Sequence, residues 1–380
     1  ISSIWFDTPV ERLEGIQKAK EIGFDTYDIF EDPLDITDAE RAEIRAVLRL
    51  AAVASNRAQF ERDLENLARA RTLAERIGDQ ELLCRVLYWI GRVNYVRGRF
   101  DAGIEFAERS LRIAESLGGA DPVTADPVNL LARIHCLTGE PKQAVPYAER
   151  SVEQMARLGN RVEEAAVAGV LSFAYGLHGR FEPAFEAAER GVSVARATEH
   201  LPTLAACLMF RAVVRGWHGE LERAVEDFDA AIDVRVTGAR GTAAIDVSAR
   251  SGDLFRRYLS HGFRGEAHLI AGEPARAEAD LNHCLALGAQ IGTSFHRAAF
   301  KAFLAEVRLE QGDAENALWL VEEARGGSTE KAHEWSRSIA LRAHGEALAA
   351  ASSPALARAA ESIGAAIAIQ QGRECRCDLA

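Results

Sequence analysis

The chain contains little of what marks the more specialised classes of protein. Prolines number only 10, and aromatic residues make up 7% of the 380 residues. No apolar run approaches the roughly 18 residues of a membrane-spanning helix. The first residues also lack a basic segment followed by an apolar one, so there is no secretory signal to read. These absences argue against a membrane-spanning protein and favour a cytoplasmic one.

The six cysteines do not suggest a disulfide framework. Four of them are widely spaced, and we interpret them as small apolar residues of the core: Cys84, Cys136, Cys207 and Cys284. Cys375 and Cys377 form a CxC pattern with no second pair and no histidine nearby. A zinc site needs about four ligands, so we expect no metal there.

Sequence signatures of catalysis are missing as well. The chain has no HExxH, GxSxG or P-loop pattern, and its ten histidines are not matched with a nucleophile or carboxylate at a telling spacing. The formal net charge of -12 and the pI near 5.4 disfavour nonspecific binding to nucleic acid or to an anionic membrane. We therefore expect no catalytic site, no cofactor, and neither nucleic acid nor membrane as a partner.

What the chain does have is a small residue that returns at an interval of about 40 residues, within the range of known structural repeats. We call this residue the turn position of each unit: Ala58, Gly98, Gly139, Gly179, Gly219, Gly272, Gly312 and Ser352. The interval is nearly constant except for one longer step, from Gly219 to Gly272. Seven places before and twelve places after every turn position the residue is again small, and five places after it the residue is small in all units but the first. This periodicity predicts a repeat protein of about eight units.

Each unit has the pattern of two helices joined by a short turn. In the second unit the helices are predicted over residues 83–96 and 100–116, with a turn at 97–99. Small residues are required where two antiparallel helices approach closely, and a turn glycine can adopt the left-handed conformation that ends a helix. One hairpin cannot bury its apolar face alone, so we expect neighbouring hairpins to stack into an all-α solenoid.

These columns resemble the tetratricopeptide repeat. The small positions of that repeat match Gly91, Gly98, Gly103 and Ser110, and the aromatic residue after the turn matches Phe100, with counterparts at Phe60 and Phe181. The period is longer than the usual one of roughly 34 residues, and the closing proline is missing. The longer form is similar to repeats in the tails of bacterial signalling ATPases, nucleotide cyclases and transcription activators. The resemblance covers about residues 42–380 and implies a right-handed α-solenoid.

Residues 1–38 do not follow the repeat. The pattern predicts a strand, a helix over residues 10–22 and a second strand over 24–30. The stretches 4–6, 21–25 and 27–30 resemble the start of xylose-isomerase-like sugar isomerase and epimerase barrels. Two interpretations remain open: a barrel fragment joined to the repeats, or a helix that caps the first repeat. The polar stretch 35–43 is the expected joint, and the solenoid is expected over 39–380 and to continue past the last residue.

The longer step between Gly219 and Gly272 indicates an insertion of about 13 residues between Ile232 and Phe263, since insertions in a repeat array leave the flanking units in phase. The insertion and its surroundings are rich in arginine: Arg235, Arg240, Arg250, Arg256, Arg257 and Arg264. One interpretation is a solvated loop followed by a longer helix. The other is a contact for an anion or an acidic peptide, because arginine suits bidentate recognition of carboxylate and phosphate.

The predicted function is a non-catalytic scaffold that binds a protein or peptide segment in a concave groove lined by the first helix of each hairpin. The candidate lining residues are Tyr88, Asn94, Arg133, Tyr175 and Arg215, joined by Arg235, Arg240, Arg256 and Arg257 at the insertion. Two alternatives remain. The chain could be the regulatory tail of a nucleotide cyclase or signalling ATPase, or the remnant of a sugar isomerase.

Overall fold

The computed structural model describes residues 36–54, 60–233, 243–293, 295–326 and 334–374. Within these ranges all regular structure is α-helical, and no strand occurs. The predicted strand–helix–strand segment lies outside the described residues, apart from 36–38, which are helical. Cys375 and Cys377 lie outside them as well.

The described helices alternate between the first and second helix of a hairpin, as the repeat predicts. Their bounds are α1 Ile36–Ala54, α2 Phe60–Ile77, α3 Gln80–Val96, α4 Phe100–Ser116, α5 Asp121–Leu137, α6 Pro141–Arg157, α7 Arg161–Leu177, α8 Phe181–Ala197, α9 Leu201–His218, α10 Leu221–Asp233, α11 Ala243–Ile270, α12 Pro274–Ile291, α13 Arg297–Glu310, α14 Ala314–Gly326, α15 Glu334–Ala350 and α16 Leu356–Arg373. The chain divides into two compact units, unit 1 up to Leu130 and unit 2 from residue 131 onward.

The glycines at the turn positions have the conformation that the sequence predicts. Gly98, Gly179 and Gly219 have φ values of 78°, 72° and 90°, in the left-handed region where a side chain would be strained. The amides of Arg99 and Arg180 donate to carbonyls of the preceding helix, which satisfies groups that a helix end leaves unpaired. The helical hairpin and its turn are therefore confirmed.

The small-residue columns lie between the helices of a hairpin. A Cβ on Gly91 of α3 would lie 3.1 Å from the carbonyl oxygen of Gly103 on α4, and one on Gly191 of α8 would lie 3.1 Å from that of Ala165 on α7. The four widely spaced cysteines are buried and form no disulfide, so the prediction that they are small core residues is confirmed.

Ala184 provides a test of this packing. It lies on α8, five places after a turn position, and is 0% exposed. We expect Ala184→Leu to lower the free energy of unfolding by about 1–3 kcal/mol, because extra methylene groups force a closely packed contact apart. Urea denaturation followed by circular dichroism measures this loss. Glu182 on the same helix is exposed, so Glu182→Leu should change the free energy of unfolding by less than about 0.5 kcal/mol. Equal effects of the two variants would contradict the assigned register of the repeat.

Residues 36–43, within the expected joint at 35–43, form the first turns of α1, and the joint itself stays a prediction. Two of their acidic side chains are held by arginines of α2. Glu43 is 7% exposed and pairs with Arg69 at 2.8 Å, and Glu40 pairs with Arg76. The stretch looks like a linker in the sequence because its negative charge is compensated only by the neighbouring helix.

In unit 2 the first helices of successive hairpins pack against one another, as α7 does on α9 and α13 on α15. The second helices pack on the first helices, so the first helices lie inside. We therefore call α7, α9, α11, α13 and α15 the inner helices, and the side that they share the inner face.

The last helix of unit 2 returns to the turn between α5 and α6. Arg373 donates to the Thr138 carbonyl at 3.2 Å and to Glu140 Oε1 at 2.7 Å, and Lys142 Nζ donates to Glu374 Oε1 at 3.0 Å. Burial raises the pKa of Glu140, but the hydrogen bond from His135 and the charge of Arg373 outweigh burial and leave this pKa below its usual value. The end of unit 2 is thus held to its beginning by ion pairs.

Candidate functional site

Aromatic side chains of the inner helices of unit 2 pack against one another. Phe173 on α7 lies 5.7 Å from Phe210 and 5.0 Å from Trp217 on α9, measured between ring centroids. Phe263 on α11 lies 6.2 Å from Phe173 and 6.2 Å from Trp335 on α15. Rings from alternate inner helices therefore meet, which joins these helices into one aromatic cluster.

Glycines on the inner helices make room for these rings. A Cβ on Gly169 would lie 2.8 Å from Phe210 Cδ2, and a Cβ on Gly176 would lie 3.2 Å from the Trp217 ring. Both contacts are shorter than ordinary van der Waals distance. The sequence pattern of a glycine on one inner helix and an aromatic residue on the next thus brings the two helices close together.

The cluster reaches the surface at the end of α9. Phe210 and Trp217 are half-buried, whereas Phe173 and Phe263 are buried. The indole nitrogen of Trp217 is buried and has no hydrogen-bond partner. A buried N–H without an acceptor is uncommon in folded proteins. The Trp217 N–H could therefore donate a hydrogen bond to the carbonyl of a ligand.

A charged network joins the same helix α9 to α8 and α10. Arg211 is 7% exposed and binds both carboxylate oxygens of Asp227 on α10, at 2.8 and 2.7 Å. Its third nitrogen donates to Glu189 on α8 at 2.9 Å, and Arg215 donates to Asp227 at 2.6 Å. Burial lowers the pKa of Arg211, but the two carboxylates outweigh burial and raise this pKa above its usual value. Both arginines are therefore charged and fixed in position.

The next hairpin repeats this arrangement. Arg264 on α11 binds Asp280 on α12 at 2.8 and 2.6 Å and also pairs with Asp229 on α10. His261 Nδ1 lies 2.8 Å from the same Asp280 carboxylate. In both hairpins, an arginine eight places before the turn position joins its own hairpin to the preceding outer helix.

The acidic partners in these links form a column that the sequence analysis missed. Ten places after five of the eight turn positions the sequence has an acidic residue: Glu108, Glu149, Glu189, Asp229 and Glu322. In unit 2 the members on α6, α8 and α10 each bind a side chain of the next inner helix. Tyr175 donates to Glu149, and burial together with this carboxylate raises the pKa of the Tyr175 hydroxyl to about 12.

The candidate lining residues are placed as follows. In unit 1 both Tyr88 and Asn94 are buried, and the Asn94 amide donates to the Ile90 carbonyl of its own helix at 2.9 Å. In unit 2, Arg133 pairs with Glu163 at 3.1 Å. Tyr175 and Arg215 both occupy the place four before a turn position and bind the acidic column.

The arginines of the insertion are only partly described. Arg235 and Arg240 lie outside the described residues. Arg256 and Arg257 are half-buried on α11, which is 28 residues long, whereas α7 has 17. The longer helix expected from the insertion is therefore confirmed. The anion contact expected from it stays a prediction.

The described part of the chain lacks two further features. No helix in it combines the length and apolarity needed to cross a bilayer. Nor does it contain three or more histidine, cysteine, aspartate or glutamate side chains grouped so that they could hold a metal ion.

Comparison with known proteins agrees with this architecture. Residues 82–155 and 123–197 match the tetratricopeptide repeat model, so the chain carries tetratricopeptide repeats, built into a tetratricopeptide-like solenoid fold. Among solved structures, a Rap protein complexed with competence and sporulation factor is similar, with 11% identity, a TM-score of 0.62, and coverage of 90% of this chain and 89% of that chain. NprR in complex with its cognate peptide NprX is also similar, with 13% identity, a TM-score of 0.55, and coverage of 81% and 85%. No curated protein matches the chain.

Proposed function

We propose that the inner face of unit 2 binds a peptide segment of another protein and that the chain performs no catalysis of its own. The observation that carries this proposal is Trp217, a half-buried indole with an unpartnered N–H at the edge of an aromatic cluster. An extended or helical peptide offers both apolar side chains for the rings and a carbonyl for this donor.

The surroundings of Trp217 fit a peptide. Arg215 lies two places before Trp217 on the same inner helix, and its guanidinium is held by Asp227 at 2.6 Å and pairs with Glu189. Polar groups fixed by such contacts can orient a bound chain at a small entropic cost. Tyr175 and Arg133 are proposed to extend this lining, whereas Tyr88 and Asn94 of unit 1 stay predictions.

The solved structures support the same proposal. The Rap protein and NprR were each solved with a bound factor or peptide, and both have folds similar to this one. The described residues favour neither the regulatory-tail nor the isomerase alternative over a peptide-binding scaffold.

The test is selection of peptides from a random-sequence display library, followed by affinity measurements on purified wild-type protein. We expect Trp217→Ala to weaken binding of the selected peptides at least about 10-fold, because a buried aromatic anchor contributes more than about 1 kcal/mol to an interface. Trp217→Phe keeps an aromatic ring and removes the N–H, so it separates the contribution of the ring contact from that of the hydrogen bond.

Trp319 supplies a matched control. It lies on the outer helix α14 and is 60% exposed. Trp319→Ala should bind the selected peptides as the wild type does. Failure to select any peptide, or equal affinities for the Trp217→Ala and Trp319→Ala variants, would refute binding at the inner face. Circular dichroism of each variant checks that the fold is retained.

A further inference from the structure

Four basic side chains meet in the hairpin of α11 and α12. Arg257, His261 and Arg264 are four and three places apart in the sequence, which puts them on one face of α11. His283 of α12 faces them, with its ring centroid 4.3 Å from that of His261. We call these four residues the basic cluster. A concentration of positive charge here stands out in a chain whose net charge is -12.

Part of this charge is already neutralised inside the hairpin. Asp280 accepts hydrogen bonds from Arg264 at 2.8 and 2.6 Å and lies 2.8 Å from His261 Nδ1. Burial raises the pKa of Asp280, but these partners outweigh burial and bring this pKa down to about 2. Asp280 is therefore ionised, and His261 donates its Nδ1 hydrogen to it. The Asp280 carboxylate is fully occupied by these partners.

Two other polar atoms of the basic cluster lack a partner. His261 is 8% exposed, and its Nε2 atom is buried without a hydrogen bond. Arg257 Nε is also buried without one, and no ion pair of Arg257 occurs among the described residues. A buried donor that lacks an acceptor costs about 1–3 kcal/mol. Arg257 Nε therefore favours a ligand that brings an acceptor, and so does His261 Nε2 when the imidazole carries a hydrogen on both nitrogens.

The electrostatics decide which kind of ligand fits. The pKa of His283 is lowered, first by burial and then by the positive charges of His261 and Arg257. The local potential is thus positive, which disfavours a metal ion even though two imidazoles lie close together. An oxyanion would accept hydrogen bonds from Arg257 and His261 and relieve the repulsion between the cations.

We propose that Arg257, His261 and His283 form a binding site for an oxyanion, supplied by a carboxylate group of the bound peptide. This inference rests on the proposed function for the source of the anion, but not for the site itself. Arg264 and Asp280 are positioning residues, because they bind His261 and fix its ring. The site would select peptides with an acidic side chain or a free carboxyl terminus near this hairpin.

The first experiment uses inorganic phosphate as the probe on the full chain. The pKa of His283 is measured by NMR of its ring proton in phosphate and in chloride at equal ionic strength. We expect phosphate to raise this pKa by about 1 unit, because a nearby anion favours the charged imidazole. Arg257→Gln should abolish the shift. Arg276→Gln, which removes a 69% exposed arginine of α12, should leave it unchanged.

The second experiment uses peptides selected against the wild-type protein. Arg257→Gln and His283→Gln should each weaken acidic peptides about 10-fold and leave unchanged the same peptides with amide in place of carboxylate. Equal binding of the acidic and amidated forms, together with no phosphate effect, would overturn the site while the proposed function stands. A phosphate effect with no peptide binding would instead establish the site, reject the peptide as its source and refute the proposed function. Binding of Zn²⁺ without any response to phosphate would overturn the assignment to an anion.

Discussion

Gly262→Ala is expected to destabilise unit 2 by about 2 kcal/mol, although alanine is normally the better helix former by about 1 kcal/mol. Gly262 lies on inner helix α11, where a Cβ would lie 2.7 Å from Phe300 Cδ1 and closer still to two other ring atoms. The Phe300 ring cannot move aside. It is 0% exposed and packs against Tyr258 and Phe263 at centroid distances of 5.4 and 5.5 Å.

Gly364 is the matched control for this variant. It also lies within a helix, α16, but no atom is within 4 Å of the place where its Cβ would be. Gly364→Ala should therefore be neutral or stabilise the protein by up to about 1 kcal/mol. Hydrogen exchange of the α11 and α13 amides, together with urea denaturation, measures both variants. Equal stabilities of the Gly262→Ala and Gly364→Ala variants would show that α11 and α13 are farther apart than described.

Asp227→Asn is expected to cost about 3 kcal/mol, the largest loss of stability that we expect from a single substitution in this protein. Asp227 is 6% exposed and accepts three hydrogen bonds from the guanidinium groups of Arg211 and Arg215. Removing the charge leaves the buried Arg211 with only Glu189 as an ionised partner, and an uncompensated buried charge typically costs about 3–5 kcal/mol. The remaining pair with Glu189 places the expected loss at the lower end of this range.

Asp229 lies two places further along the same helix and provides the comparison. It pairs with Arg264, but its side chain is 56% exposed. An exposed ion pair contributes about 0–1 kcal/mol, so Asp229→Asn should be nearly neutral. Both variants are measured by the midpoint of urea denaturation. If Asp227→Asn lowered the stability as little as Asp229→Asn, the Arg211–Asp227 pair would have to be exposed to solvent.

The hairpin repeat could be predicted from the sequence because its signals are local. A turn glycine such as Gly179 and the small residues at fixed offsets from it must recur wherever two helices pack closely and are joined by a short turn. The helices predicted over 83–96 and 100–116 are observed as Gln80–Val96 and Phe100–Ser116, so only the start of the first differs, by three residues. A local pattern does not show that Arg69 lies opposite Glu43, so the pairing of α1 with α2 could not be predicted in this way.

The candidate site could be predicted only in part. Tyr175 and Arg215 are among the lining residues that the sequence predicts, and both bind carboxylates of the second helices. Trp217, His261 and His283 were not chosen, because their interest lies in unpartnered atoms and ring contacts that no spacing reveals. The column of acidic residues ten places after the turn position was visible in the sequence, but its meaning depends on partners in the following hairpin.

The sequence by itself determined the helical repeat, the turn positions and the small-residue columns, because these depend on contacts within one hairpin. Only the tertiary structure decided which side chains of different hairpins meet. Phe173 and Phe263 are in contact although they lie far apart in the sequence, and Arg211 binds carboxylates of two hairpins at once. Such contacts depend on the rotation and translation from one hairpin to the next. Those are set by the summed packing of many side chains, such as Phe210 against Gly169, and not by the residues of any single column.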